Sequence, residues 1–100
     1  MSQSTLVTDL QALVATPSIN PFDGPAETPP PEDAMARLYE QRLGELGLEL
    51  GSQTVIDGRR NVWGRLRGSG DGPTVMLAGH LDTVGVAGYD QPFEPRVENG

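Results

Sequence analysis

Four apolar residues in a row, Val75-Met76-Leu77-Ala78, constrain the fold of this chain most. Gly72-Pro73 stands before them and Gly79 after them. A short continuous apolar run between turn residues suits a β-strand buried on both faces, which is typical of an α/β sheet. The only histidine, His80, follows at once, and Asp82 comes two residues later. In extended chain, residues i and i+2 point to the same side. His80 and Asp82 therefore fall together where the expected strand, residues 74 to 79, reaches the surface. Ligand and catalytic groups concentrate at the carboxyl ends of such strands.

The pair has two readings. A neutral imidazole is a common metal ligand, and its second ring N–H is usually given to a carboxylate or carbonyl. A zinc site needs three or four converging ligands, however, and His-x-Asp supplies one. A single histidine after a strand is more often a surface or hydrogen-bonded residue than a metal ligand. The local pattern leaves both readings open.

The segments before this run read as two helices and two strands. Leu6, Val7, Leu10, Leu13 and Val14 make an apolar stripe at helical spacing over Ser4 to Ala15, with Ser2 or Ser4 as cap. Pro17 ends this helix and pushes Thr16 towards extended geometry. Prolines 17, 21, 25, 29, 30 and 31 then mark a loop. Ser18 and Asn20 in that loop have no adjacent base and no Gly-x-Ser-x-Gly elbow, so they read as turn and cap residues rather than catalysts. A second helix is expected over Glu32 to Leu46. Met35, Leu38, Tyr39, Leu43 and Leu46 form its buried stripe, Glu32 and Asp33 sit at its positive end, and Gly47 ends it.

Leu48 to Ile56 and Asn61 to Arg67 read as strands joined at Asp57-Gly58. Val62, Gly64 and Leu66 share one face of the second. Arg59, Arg60, Arg65 and Arg67 read as solvated edge residues. Glu45 and Glu49 could be imagined as an acid/base pair, but nothing brings them to His80. The Gly68-Ser69-Gly70-Asp71-Gly72 turn lacks a following Lys-Ser/Thr and helix, so it is no phosphate loop. Tyr89 and Phe93 are expected at the mouth of the site. Residues 96 to 100 read as a strand entering an Asn-Gly hairpin, which implies a returning strand beyond Gly100.

Several function classes are disfavoured. Seven arginines against fourteen acidic residues give a net charge of −7. That balance opposes nucleic acid or an anionic membrane as partner. There is no cysteine, so disulfides, thiolate metal sites and cysteine nucleophiles drop out. No signal peptide, membrane span or internal repeat is recognisable, and a cytoplasmic location is expected.

Gly79-His80-Leu81-Asp82-Thr83-Val84 resembles the first metal motif of the zinc-dependent aminoacylase/carboxypeptidase family, which includes acetylornithine deacetylase, succinyl-diaminopimelate desuccinylase and carboxypeptidase G. Pro17-Ser18-Ile19-Asn20-Pro21 resembles the segment after that family's first helix. Residues 58 to 66, Gly-Arg-Arg-Asn-Val-Trp-Gly-Arg-Leu, resemble the strand before its Gly-rich turn. Pro92-Phe93-Glu94-Pro95 and Glu98-Asn99-Gly100 resemble the approach to its next metal motif. Gly85 stands where members commonly have proline.

The resemblance implies an α/β fold in which residues 1–100 are the N-terminal part of a zinc-hydrolase catalytic domain, two helices packed on a mixed β-sheet. The lid or dimerisation domain is absent from these residues. It implies that His80 ligates one of two zinc ions, with cobalt a possible substitute. Asp82 enters the catalytic set as the acid that orients His80. The implied reaction is hydrolysis of the amide bond of an N-acyl amino acid or small peptide, in a full-length protein for which the family's often dimerising lid domain implies a homodimer. The bridging Asp, the Glu-Glu pair and the late His of the family do not occur here, so the 100 residues alone are expected to be inactive and to bind zinc weakly. The alternatives are a non-catalytic small α/β binding module or an inactive remnant, and a phosphatase of the Asp-x-Asp-x-Thr/Val type. The phosphatase lacks its nucleophile, because His80 occupies that position.

Overall fold

In a computed structural model, residues 3–22, 31–56 and 58–100 are described. The order of elements is α1 (Gln3–Val14), α2 (Pro31–Glu45), β1 (Glu49–Ile56) and β2 (Arg59–Arg65). Two helices and a sheet make a small α/β unit, as the sequence leads one to expect. The sheet is two-stranded and antiparallel, with Glu49 opposite Arg65, Gly51 opposite Trp63 and Gln53 opposite Asn61. A register irregularity falls between Thr54 and Ile56. Of the Asp57-Gly58 turn, Asp57 lies outside the described residues, as do Ser2 and the loop residues 23–30; Gly58 has φ 75°.

Helix α2 is fixed at both ends by local chemistry. Pro31 occupies the first helical position, where a missing N–H costs nothing, and Glu32 and Asp33 follow in the first turn. At the other end Gly47 adopts φ 80°. The Leu48 N–H donates to Leu43 O at 3.2 Å, and the Gly47 N–H donates to Gly44 O at 2.9 Å. This is a Schellman motif, in which a left-handed residue turns the chain back and satisfies the last helical carbonyls. It delivers Leu48 beside Leu43 and starts β1.

The helix then packs chiefly on β2, whose burial alternates. Val62 and Gly64 face inwards, while Trp63 and Arg65 face out. Gly64 leaves room for the Leu48 side chain: a Cβ there would meet Leu48 Cδ1 at 2.8 Å and Cβ at 3.1 Å. On the other face, a Cβ at Gly51 would meet the Trp63 ring at 2.4 Å, so the indole lies over the opposite glycine. Met35 and Ala36 are the buried apolar side chains among the described residues. Leu38, Tyr39 and Leu43 are half-buried. Leu46, expected in the stripe, is exposed, because the helix has already ended.

Charged pairs supplement this thin core. Arg59 forks onto Glu32, with Nη2–Oε1 at 2.8 Å and Nε–Oε2 at 3.2 Å. Arg60 holds both carboxylate oxygens of Glu40 and lies 3.5 Å from Asp33. The sequence reading of Arg59 and Arg60 as solvated edge residues is corrected here: they are partly buried and tie β2 to α2. Arg67, by contrast, pairs with Glu49 in solvent. Glu45 is engaged by Gln41 and Arg42 on the exposed helix face.

The apolar run differs most from expectation. Residues 74 to 79 form no strand and have no ladder partner. Val75, Met76 and Leu77 are 79, 83 and 95% exposed. The side-chain pattern is right for a doubly covered strand, but strand formation needs a neighbour for every backbone N–H and C=O. None of the described residues supplies one. Residues 96 to 98 are also not strand, although Asn99 and Gly100 both take the positive φ that a type I′ turn requires.

Candidate functional site

The site begins with the break after α1. The Thr16 hydroxyl donates back to Ala12 O at 2.8 Å. Pro17 then releases the chain from helical geometry. Residues 18 to 20 run parallel to residues 82 to 84, bridged between Ile19 and Thr83. The Thr83 N–H donates to Ser18 O and the Asn20 N–H donates to Thr83 O, each at 2.8 Å. Ser18 is 1% exposed, and its hydroxyl donates to Leu81 O at 2.8 Å. The loop around His80 is thus held through both backbone and side chains.

His80 and Asp82 do come together. His80 Nδ1 lies 3.1 Å from Asp82 Oδ1 and 2.8 Å from the Asp82 carbonyl oxygen. An ionised carboxylate and a carbonyl only accept, so Nδ1 carries the hydrogen and donates. In the neutral ring this leaves the lone pair on Nε2. The His80 side chain is 82% exposed and that of Asp82 28%. The arrangement presents an open imidazole nitrogen on a ring anchored from behind.

The second carboxylate oxygen is also held. Asn20 Nδ2 donates to Asp82 Oδ2 at 2.7 Å, while Asn20 Oδ1 accepts the Phe22 N–H at 2.9 Å. The Asn20 hydrogen bond is the main reason that the Asp82 carboxyl lies below the usual aspartate range; partial desolvation opposes it and the imidazole adds to it. Sequence reasoning placed Ser18 and Asn20 as turn residues only. Asn20 does form that turn, but both residues also build the site. The signal available was the pair of prolines, Pro17 and Pro21, each of which biases the residue before it, Thr16 and Asn20, towards extended geometry.

Tyr89, expected at the mouth of the site, lines a different groove. That groove, about 330 Å³, lies between α1 and residues 89–97, with Leu10, Val14, Pro92 and Val97 among its walls. His80, Asp82 and Phe93 are not among them. One face of α1, with Leu6, Leu10 and Val14, is correspondingly exposed.

Among the described residues, no group of three or more His, Cys, Asp or Glu side chains converges to hold a metal. The donor set fits one imidazole ligand with its orienting acid, and no more. No helix of the described residues is long and apolar enough to cross a membrane.

Comparison with known proteins gives a consistent direction. The chain is similar to succinyl-diaminopimelate desuccinylases. It is 33% identical to that of Leptothrix cholodnii over 98 residues, 91% of this chain and 23% of the relative. It is 36% identical to the Thioalkalivibrio sulfidiphilus enzyme over 75 residues, 70% of this chain and 19% of the relative. It is 33% identical to the Ectopseudomonas mendocina enzyme over 90 residues, 86% of this chain and 20% of the relative. The chain thus spans about a fifth of the length of the curated relatives it matches. No family model and no solved structure matches it.

Proposed function

We propose that this chain is the N-terminal part of the catalytic domain of a metal-dependent hydrolase that cleaves the amide bond of an N-acyl amino acid or small peptide. N-succinylated diamino acids are the first candidates, by similarity to the desuccinylases. The observation that carries the reading is the anchored imidazole. His80 donates from Nδ1 to Asp82 and turns Nε2 outwards. That is how a zinc-ligating histidine is prepared: the second-shell acceptor fixes the tautomer and raises ligand basicity.

Under this reading His80 contributes one ligand through Nε2, and Asp82 orients it without ligating. Zinc, when bound, would acidify a water and polarise the scissile carbonyl. The remaining ligands and the general base would come from outside the described residues, which offer no group that converges on His80. The parallel bridge between Ile19 and Thr83 holds the His80 loop in place.

The test is metal content and hydrolysis by the complete gene product, with N-succinyl-diaminopimelate and N-acetylornithine as substrates. The expected result is chelator-sensitive hydrolysis that is lost, with one metal equivalent, in His80→Ala. Full metal content and undiminished turnover in that variant would overturn the reading.

A further inference from the structure

We propose that Asn20 is the positioning residue that directs Asp82 onto His80. The inference rests on the reading of His80 as a ligand, although its first measurement does not. Asn20 makes two different contacts with its two amide atoms. Oδ1 accepts the Phe22 N–H, a bond that only shapes the local turn. Nδ2 donates to Asp82 Oδ2 across 62 residues of sequence. The amide cannot be flipped, because a flip would set oxygen against carboxylate and N–H against N–H. Asp82 is therefore gripped at Oδ2 by Asn20, and its Oδ1 is left for His80 Nδ1 at 3.1 Å.

The backbone ties nearby set the position of the loop, not the rotation of the carboxylate. Ser18 and Asn20 bond the main chain at Leu81 and Thr83. The Asp82 carbonyl also accepts from His80 Nδ1, so the ring keeps one acceptor whatever the carboxylate does. What Asn20 adds is the direction of the second acceptor. A free carboxylate at a site 28% exposed has water as an alternative. The Asn20 amide removes that freedom, and the ring is held at two points instead of one.

The turn and the grip can be separated by substitution. Asn20→Asp keeps the oxygen that accepts from Phe22 and is nearly isosteric, but it replaces the donor to Asp82 with a second carboxylate. Asp82→Asn presents Asn20 with a carbonyl oxygen, which its amide takes; the new amide then aims its own donor at His80 Nδ1. In the Asn20→Asp/Asp82→Asn pair, the carboxylate at position 20 takes that amide N–H, and the carbonyl oxygen turns back to His80. The double variant restores the donor–acceptor order by exchanging the two partners.

His80 is the only histidine of the chain, so its ring nitrogens are read directly by nuclear magnetic resonance of the metal-free protein with the imidazole neutral. The Nδ1–H form is expected to dominate in the native sequence. Its share is expected to fall in each single variant and to recover in the double variant. Zinc titration followed at the same ring signals is expected to weaken about tenfold in the single variants, the lower end for second-shell losses, and to recover with the pair. Asn20→Asp indistinguishable from the native chain would overturn the proposal and leave Asn20 as a turn residue. So would a double variant no better than the singles. If Asn20→Asp loses its folded amide spectrum, Asn20→Ser carries the same expectation, since it retains a turn acceptor but stops short of Asp82. Failure of the hydrolase reading shows separately, as full metal content and turnover of the complete gene product in His80→Ala with the ring-nitrogen series intact.

Discussion

Replacing Ser18 with alanine isolates the bond that joins the end of α1 to the His80 loop. The hydroxyl is 1% exposed and donates to Leu81 O at 2.8 Å. Its loss removes one hydrogen bond and leaves that carbonyl without its side-chain donor. A buried group left unpaired costs about 1–3 kcal/mol. Leu81 is only half-buried, so water reaches its carbonyl in part and the cost falls near the lower end, about 1–1.5 kcal/mol. With a urea slope near 1 kcal/mol/M for a small domain, the midpoint should drop by about 1 M. Urea unfolding followed by Trp63 fluorescence reads this, with Ser69→Ala as the exposed control. A change of less than about 0.3 kcal/mol would refute the reasoning, because the hydroxyl would then have no partner that water cannot replace.

Three further outcomes follow from the fold. Gly64→Ala should destabilise by about 1 kcal/mol, because its Cβ would meet Leu48 Cδ1 at 2.8 Å and Leu48 Cβ at 3.1 Å and that side chain must turn away; thermal unfolding measures it. Arg60 holds the Glu40 carboxyl below its ordinary range through hydrogen bonds, so that pair stabilises fully above the unfolded glutamate pKa and the contribution is lost as pH falls through the lowered folded value. The acid limb of the stability curve should flatten in Glu40→Gln. Leu77→Asp should change stability by less than about 0.5 kcal/mol, since the side chain is 95% exposed; a large loss in a denaturant titration would place it in a core.

Elements that depend on local chemistry were legible in the sequence. Both helices lie within about a residue of expectation, because Pro17, Pro31 and Gly47 punctuate them and the punctuation is itself the physical cause. The hairpin strands follow from the turn at Gly58 and from the alternation at Val62 and Gly64, but the second runs over Arg59–Arg65 rather than Asn61 to Arg67 and leaves Leu66 beyond it, 81% exposed. Residues 74 to 79 were misjudged for the opposite reason. Their composition describes what would cover a strand, and a strand exists only with neighbours to pair. Arg59 and Arg60 were misplaced because partners on α2, at Glu32 and Glu40, are invisible to a local pattern. The same limit hid Asn20. His80 and Asp82 are two residues apart and could be paired by periodicity; the amide that grips Asp82 is 62 residues away.

That separation also orders the events of folding. The tie from Ser18 to Leu81 closes a loop of 63 residues. Closing such a loop costs roughly 4 kcal/mol of chain entropy, beyond a constant, by the logarithmic scaling of loop closure. Helix α2 and its hairpin need much shorter closures, with Glu40 and Arg60 only 20 apart. The hairpin and α2 should therefore assemble first, and the bridge from residues 18–20 to 82–84 should close late, outside the folding nucleus. Substitutions at Ser18 or Asn20 would then leave the refolding rate almost unchanged and speed unfolding. The site behaves as a clasp, the last contact to shut and the first to open.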